Sequence, residues 1–238
     1  MVARRAGRGW RLGRGSEGPI RQLLGELDLM SVAIALLLVA VFSATTAGRL
    51  QLKPVRGPVP WLTLSLVAVL ALALVAQMLL PPLIAQVQRD AGAIRQGEIY
   101  RLFTALWFQD GGVAGSLFNL AILFLLGSVS EWLWEKRAWL ILYFGAGLVA
   151  ECIALAWQPI GAGNSIACFG LAGGILAFGR LGKSPRIVTV LRMAGLGAGA
   201  ALAVMHDIHG AALLIGAALG LLLFRIGWGA TGADQPSI

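Results

Sequence analysis

The sequence predicts an all-α fold, a polytopic bundle of membrane helices with a six-helix core and one extra N-terminal transmembrane helix. Three observations carry this. Of 238 residues, 58% are hydrophobic and only 13% charged, against about 25% charged in a soluble globular domain. The mean hydropathy is +0.81. The apolar residues also gather into about seven runs near the ~20 residues a helix needs to cross a bilayer, with the charges between them.

The elements follow in order. Residues 1–28 hold six arginines among glycines (Arg4, Arg5, Arg8, Arg11, Arg14 and Arg21) and read as a flexible basic tail against anionic lipid headgroups. The run at 29–47 is too long for a signal peptide and lacks its cleavage signal, so it reads as the extra span. A linker with Arg49, Lys53 and Arg56 leads to the core at 60–228, whose first run ends near 80. Residues 81–112 carry Arg89, Asp90, Arg95, Glu98, Arg101 and Asp110, too polar to span. They also carry Tyr100, Phe103, Trp107 and Phe108, which suit the membrane–water interface, so the segment reads as a half-sunk structured loop. Five runs follow, at about 113–130, 138–157, 165–179, 187–205 and 209–227, before a short tail at 229–238.

The net charge of +8 does not imply nucleic acid, because the basic residues sit between apolar runs rather than on a soluble face. Linkers that carry Arg or Lys at 49–56, 131–137 (with Glu131 and Glu135 beside Lys136 and Arg137) and 180–186, with Arg225, alternate with nearly neutral turns, which puts both ends of the core inside. Seven complete spans would leave the Arg-rich tail outside, against that rule. Either the first run does not fully span or the core overrides the tail. Cys152 and Cys168 lie inside apolar runs and imply nothing about redox compartment.

Polar groups inside a membrane are costly and often functional. Three helices that run inward place Asn119, Ser165 and His209 near their outer starts, hence at similar depth. A hydroxyl with an imidazole to take its proton is the apparatus of acyl transfer. Asn164 is a suitable N-cap, which would put Ser165 in a first turn whose free N–H groups favour a developing oxyanion. Asn119 could add a side-chain donor, and Asp207 is a possible N-cap before His209. Small residues around Ser165 (Gly161, Gly163, Gly170, Gly173, Gly174) and after His209 (Ala212, Gly216, Gly220) let two helices pack closely. Taken singly, each has a plainer reading. A serine bonds back to its own helix, a histidine packs, an asparagine glues helices, and Cys168 fills core.

Several local patterns together resemble the rhomboid family of intramembrane proteases. Gly97-Glu98-Ile99-Tyr100-Arg101-Leu102-Phe103-Thr104 resembles its G-E-x-W-R-L-x-T segment, with Tyr100 for Trp. Leu117-Phe118-Asn119 is similar to its L-F-N, Gly127 with Glu131 to G-x-x-x-E, Gly163 to Leu171 to G-x-S-G-A-x-F-G-L, and His209 onward to H-x-x-G-x-x-x-G. The likeness covers roughly residues 60–228. It implies a rhomboid-like six-helix core and a Ser–His dyad of Ser165 and His209, with oxyanion binding by Asn119 and Ser165. Arg101 and Glu131 would be structural or lipid-facing supports. The implied substrates are transmembrane proteins whose helices unwind near the outer face, with lipids around and no small-molecule cofactor, metal or nucleic acid. The expected location is the bacterial plasma (inner) membrane, as a multi-pass protein.

Three positions depart from the family pattern. Gly115 stands where the family has a histidine that contributes to the oxyanion hole, Asp110 where it has an earlier histidine, and Ile166 where a glycine follows the serine. Loss of one oxyanion donor costs on the order of 10²–10³ in rate. The alternative expectation is therefore a catalytically weak or silent rhomboid-like protein that binds transmembrane helices. A transporter would carry internal repeats and more buried charge, which the sequence does not display.

Overall fold

A computed structural model of the chain describes residues 59–178 and 186–228, with the single positions 34, 35, 38 and 41. Those four positions are helical; Val41 is buried and Ile34 packs on the core. The rest of the 29–47 run, the tails at 1–28 and 229–238 and the linker at 49–56 lie outside the described residues.

In lipid the backbone must satisfy its own hydrogen bonds, so the apolar runs have little choice but helix. They form α1 (Trp61–Leu79), α5 (Gly112–Leu133), α6 (Lys136–Trp157), α7 (Ser165–Phe178), α8 (Arg186–Val204) and α9 (Ile208–Arg225). Of these, α1, α5, α6, α8 and α9 are long and apolar enough to cross a membrane. The chain is a multi-pass, predominantly helical membrane protein. The segment before α5 folds as three short helices, α2 (Leu83–Val87), α3 (Ala91–Arg95) and α4 (Arg101–Thr104).

Burial sorts the helices into centre and rim. Only 22% of the best window of α1 is buried, against 50% for α6 and α9. On α1 a single stripe, Thr63, Leu66, Leu70 and Leu74, faces inward at near-helical spacing, while Leu72, Val75, Met78 and Leu79 are exposed. The shorter α7 is buried at nearly every described side chain from Ile166 to Ala177 and lies at the centre. Its closest partner is α9. A Cβ added at Gly216 would fall on the backbone of Gly170, and one at Gly173 on the backbone of Leu213 and Ala217. Only glycine allows that approach.

At the end of the bundle where α1 begins and α5 finishes, Glu131 closes the joint. Its carboxylate accepts from the N–H groups of Leu62 (3.0 Å) and Thr63 (2.8 Å) and from the Thr63 hydroxyl (2.9 Å). It thereby caps a helix whose own N-cap, Pro60, makes no side-chain bond. Nearby, Trp139 donates its indole N–H to the carbonyl of Gly127 at 3.0 Å.

Two features were not expected from the sequence. α6 is interrupted by a π turn, Ile141–Gly145, between two α-helical stretches. A two-residue strand, β1 (Arg89–Asp90), also pairs antiparallel with β2 (Ile160–Gly161), in the register Arg89 with Gly161. The sequence reading contained no strand, and two residues leave no periodicity to detect. The ribbon ties the interfacial segment to the loop ahead of α7. Arg89 strengthens the tie: it is 2% exposed, forms an ion pair with the fully buried Glu151 of α6, and donates from Nε to the carbonyl of Gln158 at 2.8 Å. Within the segment Arg101 is a buried stitch. It donates to Glu98 (2.7 Å) and to the carbonyls of Ala85 (2.8 Å) and Gln88 (3.1 Å). Ile99, Tyr100 and Phe103 remain exposed on its surface while Ala105 and Leu106 are buried.

Candidate functional site

The starts of α5, α7 and α9 meet at one end of the bundle, beside the interfacial segment. Ser165 is the first residue of α7 and His209 the second of α9. The Ser165 hydroxyl and His209 Nε2 lie 3.0 Å apart. The glycine contacts between α7 and α9 set this separation, since both side chains project from helix ends held backbone to backbone.

The imidazole is fixed from behind. Asp207, the N-cap of α9, accepts at Oδ1 from the His209 backbone N–H (2.8 Å) and stands 2.8 Å from Nδ1. A carboxylate can only accept, so Nδ1 carries a hydrogen, and in the neutral ring it is the Nε2 lone pair that faces Ser165. Burial opposes ionisation of Asp207, but hydrogen bonds from the ring and backbone of His209 and from Gln158 outweigh it. The carboxyl is held below its ordinary range. The Phe169 ring packs on the other side of the imidazole, 4.9 Å between centroids.

Asn164 does not cap α7 in the expected way. Its side chain turns aside: Oδ1 accepts from Gln109 Nε2 at 2.8 Å, and Nδ2 reaches the Cys168 sulfur at 3.6 Å. The first bond of the helix runs from Cys168 N–H to the Asn164 carbonyl. Among the described residues no acceptor meets the backbone N–H groups of Ser165, Ile166 or Ala167. Three donors at a positive helix end are therefore without a protein acceptor next to the serine, and two of their residues, Ser165 and Ile166, line the cleft.

Asn119 lies on α5 next to this point but is engaged. Its Nδ2 donates to Gln109 Oε1 at 2.8 Å, and it does not line the cleft. Gln109, 2% exposed, is the knot between them. It joins Asn119 on α5, Asn164 at the start of α7 and, through its backbone, Gln77 on α1 (2.6 and 3.2 Å). Sequence reasoning missed it because the segment holding it read only as interfacial. Of the departing positions, Asp110 accepts from the Ala162 N–H at 2.9 Å and so steadies the loop before the serine. Ile166 is 3% exposed and packs in the core, and a Cβ on Gly115 would meet nothing within 4 Å.

A cleft of about 180 Å³ opens over the pair, lined by Arg89, Asp110, Gln158, the loop 160–163, Ser165, Ile166, Ile208 and His209. No protein-family model matches this chain, and no curated protein matches it. The chemistry must be read from the geometry. Among the described residues no group of three or more His, Cys, Asp or Glu gathers as a metal site. What the cleft brings together is a hydroxyl, an imidazole backed by a carboxylate and backbone N–H groups without protein acceptors. That arrangement can do nucleophilic acyl transfer.

Proposed function

We infer that the protein is an intramembrane serine endopeptidase of the rhomboid type, acting by a Ser165–His209 dyad on transmembrane-helix substrates near the outer membrane face. The observation that carries this reading is the 3.0 Å contact of Ser165 Oγ with His209 Nε2 at two apposed helix starts. The open N–H donors of the first turn of α7 add to it.

The mechanism follows from the groups present. Ser165 Oγ attacks the scissile carbonyl carbon as its proton passes to His209 Nε2. The carbonyl oxygen becomes an oxyanion, which the Ser165 N–H and its helical neighbours stabilise; Asn119 serves as a side-chain donor only through the amide hydrogen that its bond to Gln109 leaves over. Collapse breaks the C–N bond, and the imidazolium returns its proton to the leaving amine. Water, deprotonated by the same imidazole, then releases the acyl group and restores the hydroxyl. Substrates are transmembrane helices that unwind, because lipid otherwise locks every amide in a helix. Membrane lipids are the surroundings and no cofactor takes part. The five membrane-length helices support a multi-pass membrane location, and the bacterial plasma membrane is the location that goes with this reading.

A second reading has one observation in its favour. The Asn119 amide is already bonded to Gln109 and Gly115 brings no side-chain donor, so oxyanion support is thin; a helix binder without turnover fits that.

The test is a fluorophosphonate probe together with a transmembrane substrate in liposomes, on wild type, Ser165→Ala and His209→Ala. Wild type is expected to label and cleave, and both variants to do neither while keeping the wild-type melting profile. A folded wild type with no Ser165-dependent labelling or cleavage sinks the protease and leaves the binder.

A further inference from the structure

We propose that Asp207 is a positioning residue that turns the Ser165–His209 pair into a three-membered hydrolytic array; the role rests on the serine-hydrolase reading above. Asp207 is 1% exposed and sits immediately behind the imidazole. One oxygen, Oδ1, receives both the backbone N–H and the Nδ1–H of the same residue, each at 2.8 Å. This double grip sets the rotation of the ring and selects its tautomer together. The other oxygen faces the Gln158 amide at 3.5 Å. Gln158 in turn accepts the Arg89 guanidinium on its carbonyl at 2.8 Å, so the carboxylate is braced against the wall of the cleft.

A cap alone does not account for this arrangement. Capping α9 requires only an acceptor for a backbone N–H, which serine or asparagine supplies as well as aspartate. The further bond to Nδ1 engages the ring, and it matters when His209 takes the serine proton. The imidazolium then formed lies against a buried negative charge, where solvent screens little. The His209 side chain is 21% exposed and Asp207 1%. The ring is thus open to substrate in front and closed behind.

Cap and positioning roles separate by experiment. Asp207→Asn and Asp207→Ser both retain an N-cap acceptor, so α9 is expected to hold and the detergent melting temperature to stay near that of wild type. Labelling of Ser165 by the fluorophosphonate is expected to slow on the order of 10²- to 10⁴-fold in both. In proton NMR the His209 Nδ1–H resonance, protected in wild type, is expected to vanish in Asp207→Ser. A labelled wild type whose folded variants label at the same rate overturns the role of Asp207 and leaves the dyad. A wild type that does not label overturns the hydrolase reading and the role with it, whatever the resonance does.

Discussion

Gln109 holds more of the site than its place in the chain suggests. Its side chain spends its acceptor on Asn119 and a donor on Asn164, while its backbone exchanges two bonds with Gln77. Replacing it with leucine strands the buried Asn164 amide, at about 1–3 kcal/mol, and removes the partner of the half-buried Asn119. Gln109→Leu is therefore expected to lower thermal stability in detergent by that order. It should also change the labelling rate of Ser165, because Asn164 and Asn119 flank the open donors. Unaltered melting and labelling would count against the knot. At this scale the sequence was legible in one respect and opaque in another. Ser165 and His209 could be paired from depth alone, since a polar group in an apolar run is conspicuous. Gln109 could not, because its partners lie 10 and 55 residues away and glutamine in an interfacial loop attracts no notice. Asp207 was visible only as a cap; its grip on the ring needed coordinates. Asn164 was expected to cap and instead turned to Gln109, a tertiary bond displacing a local one.

Among the elements, α1 depends on a neighbour for its start. Pro60 supplies no side-chain cap, and Glu131 from the far end of α5 fills the role with three accepted bonds. Glu131→Ala removes all three and leaves N–H groups of Leu62 and Thr63 unpaired, at a cost of about 1–3 kcal/mol. The expected sign is a lower melting temperature with Ser165 labelling retained at low temperature, because the joint lies at the opposite end of the bundle from the cleft. Loss of labelling without loss of stability would contradict that separation. Among the described residues the apolar runs were legible to within a few residues: the run read at 113–130 is the helix Gly112–Leu133, and that at 187–205 is Arg186–Val204. Bilayer physics explains this, since charge and apolarity set both ends of a span. The two-residue ribbon and the π turn obey no such rule.

Taken whole, the molecule is a helical bundle whose one end is held to its interfacial segment by a buried ion pair. Arg89 and Glu151 are 2% and 0% exposed, and Glu151 Oε1 has no partner among the described residues. Such pairs are costly to assemble and costlier to halve: removing one member costs about 3–5 kcal/mol, whereas replacing both with apolar groups is often neutral. Glu151→Ala is expected to unfold far more readily than wild type, and Arg89→Leu with Glu151→Leu to recover much of the loss. Additive losses in that cycle would show that the two charges are not coupled. The π turn within α6 bears on the same architecture. A residue surplus to the α repeat rotates the C-terminal stretch of the helix by about 100° relative to the stretch before it. The stretch holding Trp139 and the stretch holding Glu151 are therefore phased independently. Deleting one residue within 141–145 would straighten the rod and force a choice: Trp139 keeps its bond to Gly127, or Glu151 keeps Arg89, but the helix could no longer serve both ends at once.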